Sequence, residues 1–430
     1  MLTAGALGFA KVLAYAAILD SQSLGYYGLG ILLSGLGTYV CHLGVYHGLD
    51  CLLPPLYGSG KAQKATRLRN TAAGLILAGS VAVIAATWIA CWLTPALTVM
   101  TRLVICTAAF LAGANALLGV GLQDLRSRGN TLTFGGTFLA KSALCLVSGM
   151  LVGRWLGSVG ILAAEAGVAV GLLFLVVRRA CPEFGFAVPR WRILKGAVRC
   201  GLPLLAKNVL NDLALSLERW CIPAAFGIAA LGQYSFGFIA VSAAMLVHNA
   251  VWSAVGPEAA YAYGRHGDAR RMLGKLHRWT LALGAAALFG WWPTQWLVRH
   301  LGSHWFPEYR TGTELLAILY CGAAFQLVSL YDWVPMVLQR TAGLVWVTIA
   351  SLTTTGVLLV AAASFQWPLA AYAWIFVAGR AVAAAGQFLL ACGLARAYRR
   401  PNHPARHPQD NQSPQPKPYL PAKPFHATLS

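Results

Sequence analysis

The sequence predicts an all-α integral membrane protein of about twelve transmembrane helices, arranged as two six-helix bundles related as parallel repeats. Three observations predict it. Hydrophobic residues make up 58% of the 430 and charged residues only 11%, against roughly 25% charged in an ordinary soluble domain. Apolar runs such as "TAAGLILAGSVAVIAATWIACWL" (71–93) recur along the whole chain, long enough to cross a hydrocarbon core of about 30 Å as helices. Short motifs also reappear half a chain later in the same order. Backbone polar groups in lipid must be satisfied internally, and these runs lack the polar/apolar alternation of barrel strands, so they are helices.

Breaks at Gly, Pro and charge place the spans at 2–19, 26–49, 71–93, 101–121, 132–152, 158–177, 201–222, 233–255, 279–298, 313–336, 343–365 and 372–395. The opening run "MLTAGALGFAKVLAYAAILD" lacks the basic flank and cleavage site of a signal peptide and is expected to be a retained span. Many Trp and Tyr, fifteen of each, sit near run ends, which suits interfacial anchoring. The basic stretch "YGSGKAQKATRLRN" (57–70) is a loop between spans. Its "GSGK" is not a phosphate-binding loop, because Pro55 and Ala62 stand where a first glycine and a magnesium-binding hydroxyl are required.

With alternating spans, 24 of the 33 Lys and Arg collect on one side of the membrane and four on the other. The positive-inside rule then makes the basic loops and the tail cytoplasmic. Nucleic-acid binding is excluded as the source of the net charge of +20, since the basic residues are dispersed among membrane loops. "LGYYG" at Leu24 recurs as "LGQYS" at Leu231, the loop at 57 matches "YGRHGDARRMLGKL" at 263, and "RSRG" at Arg126 meets "RTAG" at Arg340. The separations, near 207–214 residues, span an even number of helices, so both halves enter the membrane in the same orientation. The expected organisation is an N-terminal bundle (1–177), a linker (178–200), a C-terminal bundle (201–395) and a disordered, basic, Pro-rich cytoplasmic tail (396–430). In the linker, Trp191, Leu194, Ala197 and Val198 share a face, which predicts a short interfacial helix.

The outer loops leave no room for a catalytic domain, so activity must reside among the helices. Nine ionisable residues fall inside spans: Lys11, Lys141, Glu165, Lys207, Asp212, Glu218, Arg219, Asp332 and Arg380. Each costs about 2.5–3.5 kcal/mol at mid-membrane unless it meets a partner or a wet cavity. On the seventh span, Lys207, Asn208, Asn211, Asp212, Glu218 and Arg219 return to one side of a helix and predict a polar cavity wall. Lys11, Lys141, Lys207, Arg219, Arg380, Asn208 and Asn211 are the candidate substrate contacts of a cationic cavity. Glu165, Asp212, Glu218 and Asp332 are the candidates for coupling to a proton or sodium ion, or for gating. The repeat aligns Lys11 with Glu218, which raises the expectation of a contact between them across the halves. Lys141 and Arg380 have no acid within one helical turn, so each either meets an acidic group of a solute or pairs between helices. His42, His47 and His248 read as satisfied interior imidazoles rather than proton relays, and the ten cysteines as packing residues with no metal-ligand spacing. No cofactor or metal is expected.

"KVLAYAAILDSQSLGYYGLGILLSGLGTYVCHLGV", "ILKGAVRCGLPLLAKNVLNDLALSLERWCIPAAFGIAALGQYSFGFIAV" and "GPEAAYAYGRHGDARRML" resemble the first two helices, the seventh and eighth helices and the following cytoplasmic loop of bacterial polysaccharide flippases. These belong to the multidrug, oligosaccharidyl-lipid and polysaccharide (MOP) exporter superfamily. The resemblance covers nearly the whole chain, with loose motifs, and the charged residues usual before the first helix are missing. It implies a MOP/MATE-like fold in the bacterial inner membrane and a secondary transporter rather than an enzyme. It implies flipping of undecaprenyl-diphosphate-linked oligosaccharide from the cytoplasmic to the periplasmic leaflet by alternating access, for O-antigen, capsule or exopolysaccharide. Membrane lipids and polysaccharide polymerase machinery are the further partners it implies. Two readings compete: a multidrug or cation antiporter of the same fold, which predicts more intramembrane acids than the four against five bases present, and a membrane glycosyl polymerase or ligase, for which "RHLGSHWFPEYRTG" (299–312) is the one candidate outer loop.

Overall fold

The computed structural model describes residues 2–398 except 240, 243, 246, 250, 253–254, 256–258, 260–262, 264–267, 301–304, 328 and 339. The expected tail beyond 398, part of the eighth span and most of the loop that follows it therefore lie outside the described residues. The described chain is helical: α1 (Leu2–Ile18), α2 (Ser21–His42), α3 (Val45–Gly58), α4 (Ala62–Leu93), α5 (Val99–Ser127), α6 (Thr131–Leu172), α7 (Trp191–Ala214), α8 (Leu217–Phe226), α9 (Ile228–Gly237), α10 (Ala269–His300), α11 (Arg310–Leu327), α12 (Trp333–Val337), α13 (Ala342–Ser364) and α14 (Leu369–Ala397). Among the described residues, six helical segments are long and apolar enough to cross a membrane. Exposed Trp92 and Trp155 on these helices, and Leu288, Phe289 and Trp292 on α10, each more than 70% accessible, give the molecule a surface that suits lipid and not water.

Local chemistry explains most of the ends. Asp20, Thr98 and Asn130 accept the backbone N–H groups of Ser23, Thr101 and Thr133, capping α2, α5 and α6. Several expected spans are broken. The second divides at Leu43 and Gly44, both left-handed (φ 45° and 80°), into α2 and α3. The fifth and sixth stay separate: α6 is two helices joined at Gly157 (φ 58°, ψ −145°), a non-helical conformation open to glycine alone. The seventh divides at Leu215–Ser216 into α7 and α8. The expected short interfacial helix is no separate element: Trp191 opens α7, which continues through Pro203 to Ala214.

Buried apolar residues form one cluster drawn from Tyr15 to Ala197, joined by Phe236, Ile239 and Tyr309, and two clusters lying wholly between Leu215 and Ala395. The halves meet at glycines. A Cβ on Gly25 would strike the Ile228 carbonyl, and one on Gly232 would strike the Ser21 carbonyl. Gly232 lies 207 residues after Gly25 and Ile228 lies 207 after Ser21, the repeat separation, so α2 and α9 cross reciprocally about a pseudo-twofold axis. Tyr309 adds a hydrogen bond to the Leu19 carbonyl (2.7 Å) at the same end. Toward the basic loops, Gly44 and Gly48 pack against Gly201 and Ala197, joining α3 to α7.

Candidate functional site

Between the halves lies a cavity of about 590 Å³. From the N-terminal half it is lined by His47, Asp50 and Pro54 of α3 and by Gln123, Arg126 and Ser127 of α5. From the C-terminal half come Lys207, Asn208 and Asn211 of α7, then His248, Asn249 and Trp252, Gln326 of α11, Ser329, Asp332, Thr348 of α13, and Arg380 and Gln387 of α14. Arg126 and Met336 stand at the basic-loop ends of their helices and Pro54 in the last turns of α3, so the cavity reaches that side. The opposite end is shut by the glycine contacts of α2 and α9.

The structure sorts the expected site residues into three places. Lys207, Asn208, Asn211, Asp332 and Arg380 line the cavity. Arg380 is 3% exposed, and its guanidinium meets only neutral acceptors: Gln326 Oε1 (3.2 Å), the Ala214 carbonyl (3.2 Å) and Ser351 Oγ (3.5 Å). Among the described residues no carboxylate lies within 4.0 Å of it, and its Nε has no acceptor. Lys207 makes no hydrogen bond or ion pair among the described residues, although it faces the charge of Asp332. Asp332 accepts from Trp252 Nε1 (3.0 Å).

Lys11, Lys141 and Glu165 lie elsewhere, inside the N-terminal half. Lys11 Nζ donates to Glu165 Oε1 (2.7 Å), which also accepts from Tyr27 (2.9 Å) and Tyr15 (3.5 Å). Lys141 donates to Asn115 Oδ1 (2.8 Å). The expected contact between Lys11 and Glu218 is not made, because Lys11 already has an acid in its own bundle and Glu218 is sealed in the other.

The third place is the far end of the seventh span. The break at Leu215–Ser216 rotates Glu218 and Arg219 out of the stripe that Lys207, Asn208 and Asn211 present to the cavity. Glu218 is fully buried, neither of its oxygens accepts a hydrogen bond, and Arg219 Nε stands 3.9 Å away, stacked by its guanidinium on Phe238. Asp212 leaves the stripe too and accepts from Tyr39 of α2 (2.5 Å), a bond between the halves.

Sequence reasoning missed the N-terminal wall of the cavity. His47 reads as a packed imidazole and Arg126 as a loop cation, but the break at Leu43–Gly44 swings α3 so that His47 faces the same space as Lys207, and Arg126 faces it from the last turn of α5. It also missed a buried clamp at the basic end. Arg69 and Asp124, both 0% exposed, pair at 2.6 Å, with Arg128 (3.0 Å) and Tyr57 (2.5 Å) completing the shell around Asp124. Arg69 also donates to the Glu183 carbonyl (2.7 Å) and the Ala187 N–H donates to the Asn70 carbonyl (3.0 Å), tying the linker to α4.

No family model and no curated protein matches the chain. Solved structures do match. The chain is similar to an inward-facing multidrug resistance MATE family transporter of the MOP superfamily (TM-score 0.73, 16% identity, 93% of this chain and 95% of that one). It is similar to the lipid II flippase MurJ in an inward closed conformation (TM-score 0.68, 10% identity, 90% and 85% covered). An outward-facing MATE transporter of the same superfamily fits less well (TM-score 0.65, 15% identity, 93% and 95% covered). This chain is thus a multi-pass membrane protein with the fold of MOP superfamily transporters.

Proposed function

We propose that the protein flips an undecaprenyl-diphosphate-linked oligosaccharide from the cytoplasmic to the periplasmic leaflet of a bacterial inner membrane, with the basic loops cytoplasmic. The observation that carries this reading is that two cavity cations of the C-terminal half, Lys207 and Arg380, are neutralised by no carboxylate of the described residues at ion-pair distance. A buried guanidinium without an anion is costly, and a diphosphate entering the cavity supplies one through charge-assisted hydrogen bonds. Asn208, Asn211 and Gln326 offer amide groups to sugars on the same wall. The polyprenyl tail stays in lipid while the headgroup exchanges water for this lining. Similarity to both an inward-facing transporter and a lipid II flippase supports alternating access with the present state open to the basic side.

Asp50 and Asp332 in the same cavity favour a second reading, export of an organic cation. Liposomes containing the protein and a fluorescent prenyl-diphosphate oligosaccharide separate the two. The first reading expects the label to become accessible on the opposite leaflet with the molecule chemically unchanged. Unaltered leaflet distribution, together with proton- or sodium-driven accumulation of a cationic dye, would establish the second.

A further inference from the structure

Lys207 and Arg380 both belong to the C-terminal half, and among the cavity residues of the N-terminal half only Arg126, in the last turn of α5, carries a fixed positive charge. Opposite Lys207, the N-terminal wall presents His47, whose Nε2 lies 3.3 Å from Asn208 Nδ2. In that contact the amide N–H donates to Nε2. Its other nitrogen, Nδ1, is 3.9 Å from Asp50 Oδ2, an acid on the next turn of the same helix.

We infer that His47 is a proton-dependent anion contact: the headgroup diphosphate and one proton enter the cavity together, and the resulting imidazolium ties the N-terminal half to an anion already held by the C-terminal half. This rests on the flippase reading and identifies how that site is regulated. The groups facing His47 permit the change. On α2, Tyr39 and the His42 ring (5.3 Å between imidazole centroids) are neighbours; Gly44 N donates to His42 Nδ1, which fixes His42 as a neutral acceptor rather than a second cation. On α3, Tyr46 stacks edge-on at 5.3 Å and Asp50 stands ready to accept from Nδ1. Across the seam, Asp212 adds a carboxylate, held by Tyr39, that favours the charged ring. Lys207 and Arg126, which share the cavity, oppose that charge until an anion intervenes. A rotated Asn208 amide offers Oδ1 to the protonated Nε2, so the ring keeps its partner in both states. The proton comes from water on the open basic side.

The test uses the full chain in lipid nanodiscs and a short-chain prenyl diphosphate hexose, a diphosphate diester whose charge does not titrate near neutrality. Wild type is expected to bind more tightly at about pH 6 than at about pH 8, and to take up close to one proton per probe when calorimetry is compared across buffers. His47→Gln should bind with the high-pH affinity of wild type at every pH, and His47→Arg tightly with no pH dependence. Retention of the pH dependence in His47→Gln, its transfer to His248→Gln, or equal wild-type affinity at about pH 6 and about pH 8 overturns the inference while leaving the flippase reading intact. Failure of wild type to bind the probe at any pH overturns both.

Discussion

The two halves treat their buried cations differently. In the N-terminal half two of the three have an acid, Lys11 with Glu165 and Arg69 with Asp124, while Lys141 donates to the neutral Asn115 away from the cavity. In the C-terminal half Lys207 and Arg380 are left facing a cavity, and Glu218 is left without a donor. Charges balanced inside one bundle hold that bundle together. Charges left open between bundles are available to something that arrives.

The comparison breaks first if the N-terminal pairs are not structural. Asp124→Ala strands Arg69 in a fully buried site and should cost about 3–5 kcal/mol of stability, read as a lower melting temperature in detergent. Binding of a diphosphate diester by the protein that remains folded should not change. Arg380→Gln is the next largest effect, because it removes a charged donor: about 1.5–3 kcal/mol, or a roughly 10- to 100-fold loss of diester affinity, with little change in melting temperature. Gly232→Val forces a side chain into the Ser21 carbonyl. Its expected consequence is an opened far end, visible as faster alkylation of a cysteine placed at Ser235.

The smallest effect concerns the linker. Glu183 is held below the usual carboxylate range chiefly by its hydrogen bonds from Arg128 and Thr66. Such a group stabilises the linker at neutral pH, and the contribution is lost as pH falls through its lowered value. Amide exchange at Ala187, corrected for its intrinsic pH dependence, should therefore quicken in acid, and Glu183→Gln should flatten that response.

The fold was legible because membrane helices write themselves as apolar runs, and the repeat because the Leu24 and Leu231 motifs serve the same crossing twice. The breaks were harder to read. Leu43 takes a left-handed conformation that no residue preference signals, and only that turn brings His47 to the cavity. Periodicity placed Glu218 and Arg219 on the stripe of Lys207 by assuming an unbroken helix, which Ser216 interrupts. Pairing of Lys11 with Glu165 lies beyond any helical spacing, since 154 residues separate them.

The most direct measurement compares diphosphate-diester binding and flipping in two double variants, Lys11→Met with Glu165→Gln and Lys207→Gln with Arg380→Gln. The account predicts that the first keeps wild-type affinity and leaflet exchange whereas the second loses both. Equal losses in the two, or loss confined to the first, would contradict the claim that the unneutralised cations of the C-terminal half hold the passenger.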